Sequence, residues 1–130
     1  MIEGAINING FAARDLDGLD RWEPFTVVFG SLTVVGATNY TGRLRIVGRS
    51  VMFQVKFSAA TSVASVAGTD YLNLPIAANP GSLSGFASMQ NSTTNVASGN
   101  CAIDVTNSRA YLPAIAATAN VFRLFGMYEI

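Results

Sequence analysis

Three carboxylates, Asp70, Asp104 and Glu129, are the residues of this 130-residue chain best suited to acid–base chemistry. A pair of such groups can cut a glycosidic bond, one acting as acid and the other as base or nucleophile. Each stands alone in the sequence, in turn-forming surroundings that favour solvated or backbone-capping carboxylates. The chain contains no histidine, so nucleophilic catalysis of the Ser-His-Asp or Cys-His kind lacks its proton acceptor. Cys101 is the sole cysteine, which rules out an intrachain disulfide and, with histidine absent, the usual Cys/His metal sites. "DLDGLD" (Asp15 to Asp20) resembles the start of a calcium loop. A full loop would place ligands where Leu19 and Thr26 stand, so a polar turn is expected there. The chain is therefore expected to be non-catalytic, without metal or cofactor.

A second group of candidates is cationic. "TGRLRIVGRSVMFQVKF" (Thr41 to Phe57) holds Arg43, Arg45 and Arg49 together with the only lysine, Lys56. Its arms alternate: Leu44 and Ile46 against Arg43 and Arg45, then Val51, Phe53, Val55 and Phe57 against Met52, Gln54 and Lys56. With Gly48-Arg49 as a two-residue type II′ turn, Ile46 meets Val51 and Leu44 meets Phe53 on one face. Arg45 then meets Met52, Arg43 meets Gln54 and Thr41 meets Lys56 on the other. A slip of one residue would mix the faces, which disfavours it. The cations thus form the polar side of a half-buried hairpin. Nucleic-acid binders interleave aromatics with cations on one exposed face, whereas Phe53 and Phe57 point inward, so no nucleic-acid partner is expected. Arg43, Arg45 and Gln54 are instead candidates for subunit contact, through bidentate bonds to carboxylates or carbonyls of an adjoining chain.

Trp22, Tyr40, Tyr71 and Tyr111 are the ligand-binding candidates. All lie at strand ends or beside turns, where a ring can present its face to a sugar while neighbouring Asn, Ser or Asp side chains bond the hydroxyls. Partial burial in the core is the competing reading.

The elements that must position these groups are strands. Charged residues make up 12% of the chain, about half the usual share, and eight basic residues balance eight acidic ones, so no net field draws the chain to polyanions. One domain fits this length. Gly30-Ser31 is expected to be a turn between Thr26–Phe29 and Leu32–Val35. "TDYLNLPI" reads as a strand ended by Pro75, and "SGFASMQ" as a strand followed by the polar loop "NSTTNVASGN". "CAIDVTN" and "RAYLP" read as strands hinged at Asn107-Ser108. In "VFRLFGMYEI", Phe122, Leu124 and Tyr128 share one parity and Arg123, Phe125 and Met127 the other, so burial on both faces is expected. A helix is allowed only at "FAARDLD". The pattern predicts an all-β fold, a jelly-roll-like antiparallel β-sandwich over residues 22–130, preceded by an attachment arm over residues 1–21. No basic leader and no long apolar run is present, so a protein made in the cytoplasm with no signal peptide and no membrane insertion is expected.

"RWEPFTVVFG", "TNYTGRLRIVGRSVMFQVKF", "YLNLPIAAN" and "FRLFGMYEI" together resemble the β-sandwich domains of tailed-bacteriophage tail-fibre, baseplate and receptor-binding proteins. The resemblance covers Trp22 to Ile130, and its matching positions, Trp22, Pro24, Tyr40, Gly48, Val51, Leu74 and Pro75, are structural in that family. It implies a homotrimeric virion module at the particle surface, on a tail fibre, baseplate or capsid, held to neighbouring virion proteins by the arm, with host-surface glycan as its ligand class. The alternatives are a non-viral carbohydrate-binding module and a carboxylate-dependent β-sandwich hydrolase.

Overall fold

The computed structural model describes residues 21–82 and 85–130. Of the arm expected over residues 1–21, all but Arg21 lies outside the described residues, including the "DLDGLD" turn and the helix allowed at "FAARDLD". Every regular element described is a strand: β1 (Glu23–Phe25), β2 (Phe29–Ser31), β3 (Thr33–Val35), β4 (Thr38–Val47), β5 (Ser50–Ala59), β6 (Ser62–Ser65), β7 (Tyr71–Asn73), β8 (Gly85–Asn91), β9 (Val96–Asp104), β10 (Arg109–Tyr111), β11 (Ile115–Thr118) and β12 (Phe122–Glu129). The fold is all-β and antiparallel, as the alternation predicts, and its layout is that of a β-sandwich.

The layers are unequal. A nine-stranded sheet runs in the order β1-β4-β5-β12-β8-β9-β10-β7-β2, and a three-stranded sheet in the order β11-β6-β3. Its large sheet curls. Phe29 of the last strand, β2, meets Phe57 of β5 and Tyr40 of β4 edge-to-face, each with ring centroids 5.0 Å apart. Such contacts are impossible in a flat sheet, where neighbouring strands lie about 4.8 Å apart. Curling follows in part from a β-bulge in β9, where the register against β8 shifts between Ala97 and Gly99. The strands at the two edges, β1 and β2, are consecutive in the chain, joined only by residues 26–28.

The central hairpin β4–β5 has the expected register throughout, including Val47↔Ser50, Leu44↔Phe53 and Arg43↔Gln54. Gly48 sits at φ 62° while Arg49 stays out of the left-handed region, as a type II′ turn requires. Period-two patterning then buries Val51, Phe53, Val55 and Phe57 of β5 beside Phe122, Leu124 and Tyr128 of β12. Gly126 of β12 has no Cβ for a steric reason. A methyl there would stand 2.6 Å from the Phe53 ring and 2.8 Å from the Ala87 Cβ. Met89, Cys101, Leu72 and Leu112 extend the core toward β10, and Val63 and Ile115 of the small sheet close it.

Several expected boundaries shift. Gly30-Ser31 belongs to β2 and is no turn, because the Tyr71 ring lies against Gly30 where a side chain would stand. The loop after β8 spans only residues 92–95, and Val96–Asp104 is strand. Asn91 Oδ1 closes that loop by accepting from the amides of Thr93 and Thr94 at 3.0 and 3.2 Å.

Candidate functional site

Alternation on β4, β5, β12, β8 and β9 gives the large sheet an outer face as regular as its core face. One cross-strand row runs Arg43, Gln54, Phe125, Ser88, Asn100. A second runs Thr41, Lys56, Arg123, Gln90, Ala97, and a third Arg45, Met52, Met127, Phe86. The first two rows line a groove of about 750 Å³. Arg43, Lys56 and Arg123 face it, and among the described residues no carboxylate lines it. Phe125, 37% exposed, sits in the groove, while Phe86, 51% exposed, stands one row beyond.

This arrangement corrects two expectations. The outer side of β12 is open to solvent in the single chain instead of buried, since nothing in the described chain crosses Arg123 and Phe125. Aromatics do share a face with the cations: Phe125 and Phe86 stand on the same side as Arg43, Lys56 and Arg123, although Phe53 and Phe57 point inward as expected.

Of the subunit-contact candidates, Arg43 and Gln54 are bonded to each other, with Arg43 Nε donating to Gln54 Oε1 at 2.7 Å. Arg45 lies half-buried in the next row. The Arg43 guanidinium also covers the Trp22 ring at 4.9 Å from its centroid, a cation–π contact that fixes the planar head at the groove's margin. Trp22 is thus the one aromatic candidate that borders the groove.

The other three do not join it. Tyr40 packs inward on Phe29, and its phenol pKa is raised above the ordinary value, chiefly by burial. Tyr71 and Tyr111 are cross-strand partners on β7 and β10, edge-to-face at 5.6 Å. Arg109 ties them together, its guanidinium 4.2 Å from the Tyr71 centroid and its Nη1 donating to the Tyr111 hydroxyl at 3.3 Å. Four rings chosen for their positions near turns therefore occupy three separate places.

Two of the three candidate carboxylates, Asp70 and Asp104, tie down turns of the fold, and Glu129 lies apart from both at the end of β12. Buried Asp70 accepts from Ser31 Oγ at 2.6 Å and from the Val66 amide at 2.8 Å, tying β2 to the turn before β7. Asp104 caps the turn before β10, accepting from the amides of Thr106 and Asn107 and from Asn107 Nδ2. The side-chain bond from Asn107 leads the causes that hold the Asp104 carboxyl below its ordinary pKa. Among the described residues, no three His, Cys, Asp or Glu side chains gather where a metal could sit. Sequence reasoning missed Phe86, Gln90, Asn100 and Arg123 as site residues. For Arg123 the signal was present in its shared parity with Phe125 and Met127.

No family model, curated protein or solved structure matches this chain.

Proposed function

We propose that this protein is a non-catalytic virion module of a tailed bacteriophage, displayed at the particle surface as a homotrimer and using the outer face of its large sheet as the assembly surface. The resemblance of Trp22 to Ile130 to tail-fibre, baseplate and receptor-binding domains supports the viral part of this reading. Tail, baseplate and capsid are all compatible positions, and host-surface glycan is the ligand class that the resemblance implies.

One observation carries the assembly part. Phe125 and Phe86 stand exposed among cations on adjacent strands of the large sheet. A stable domain gains nothing from apolar groups held in water, and contiguous patches of this kind mark interaction surfaces. Aromatic and Arg side chains are also the types enriched in protein interfaces.

Sedimentation of the full chain at micromolar concentration tests this: a trimer is expected, and Phe125→Asp should shift it toward monomer with an unchanged far-ultraviolet spectrum. Antibody raised against the protein should label the surface of purified particles in electron micrographs. A monomeric native chain would overturn the assembly reading, and particles that lack the protein would overturn the viral one.

A further inference from the structure

The zero net charge of the chain hides a division. Residues 1–20 hold Glu3, Asp15, Asp17 and Asp20 against Arg14, a net −3, while residues 21–130 hold seven cations against four carboxylates, a net +3. The positive excess is concentrated: Arg43, Lys56 and Arg123 line one groove that, among the described residues, contains no carboxylate. In "DLDGLD" the carboxylates are interleaved with Leu16 and Leu19, as the cations of the groove are interleaved with Phe125. Acid meets base and apolar meets apolar in one segment of this chain and one face of its fold.

Chain direction at the edge of the sheet bears on whose groove the segment occupies. β1 runs antiparallel to β4 with Phe25↔Gly42 and Glu23↔Leu44. At Arg21, where the described chain begins, the strand direction of β1 points along β4 toward the Gly48 turn and away from the row of Thr41, Lys56 and Arg123. That direction favours the groove of a neighbouring copy over the chain's own.

From this we propose that the acidic segment of one copy, centred on Asp15 to Asp20, docks in the Arg43–Lys56–Arg123 groove of a second copy. The inference rests on the reading of the outer sheet face as the assembly surface, and names what covers it. Carboxylates of the segment form charge-assisted bonds with the guanidinium and ammonium groups, and Leu16 and Leu19 cover Phe125.

Sedimentation velocity on full-length variants tests it. Asp15→Asn, Asp17→Asn, Asp20→Asn combined (segment neutralised), and Lys56→Glu with Arg123→Glu (groove reversed), should each weaken self-association about tenfold or more, and salt should weaken the native assembly. Mixing the two variants supplies one intact segment and one intact groove, so the mixture should associate where neither variant does alone. A mixture that stays dissociated overturns docking between copies, as does native-strength association of the neutralised variant. If Phe125→Asp disrupts assembly but segment neutralisation does not, the outer-face reading stands and this inference falls. If Phe125→Asp has no effect, both fall. Competition by single-stranded DNA that dissociates the native protein without a change in the neutralised variant's association would assign the groove to nucleic acid and overturn the proposal.

Discussion

The Tyr128 hydroxyl satisfies both backbone groups of Ile76, accepting from its amide at 3.0 Å and donating to its carbonyl at 2.7 Å. One side chain of the central strand β12 thereby replaces a β-ladder for the irregular segment after β7. Tyr128→Phe keeps the ring packed on Phe53 but strands two polar groups, and should cost about 1–3 kcal/mol in urea unfolding. Loss much smaller than this would show that water replaces the phenol without cost.

Burial pushes the Tyr128 phenol up to about 12 and the Cys101 thiol up to about 12, from ordinary values of 10.0 and 9.0. In each case the folded state holds the neutral form that the unfolded chain gives up earlier. Both contributions are complete below pH 9 and decline as pH rises, Cys101 from about 9 and Tyr128 from about 10, toward 12. Native Cys101 should resist a thiol reagent at pH 8 and react at once in denaturant. Alkaline thermal scans should show the melting temperature falling less steeply in Cys101→Ala.

Phe53 and Arg43 lie on opposite faces of the same hairpin. Phe53→Ala should cost about 3–5 kcal/mol and Arg43→Ala under about 1, measured by denaturant unfolding of the monomeric chain. Equal losses would contradict the observed facing.

Gly126 exists to admit the Phe53 ring. Gly126→Ala should destabilise by about 1–3 kcal/mol through overpacking, and the double variant with Phe53→Leu should recover part of that loss. Additive losses in the double variant would place the strain elsewhere.

The hairpin was legible because strict alternation and Gly48 both specify the same register. β6 and β11 were not, because "SVAS" and "IAAT" are built of small residues whose apolar contrast is too weak to mark a face. Gly30 looked like a turn former because its cause, the Tyr71 ring, is supplied by a strand forty residues away. The outer face was half legible. Parity separates Arg123, Phe125 and Met127 from the core set, but parity does not say whether a second layer covers them. The balance of charge misled for a similar reason, averaging an acidic segment with a basic domain.

The junction between β1 and β2 has a mechanical meaning. Four peptide steps from Phe25 to Phe29 reach at most about 14 Å, so the opposite rims of a nine-stranded sheet are buckled together by a strap three residues long. Neither rim can peel outward without dragging the other, and a tensile load entering at Arg21 passes through β1 and its pairing with β4 to the buckle. Cleaving the strap would leave every other strand connection intact yet free the sheet to unroll. Under tension from one end, the three-residue connection between the two rims is the one that decides when the sheet opens.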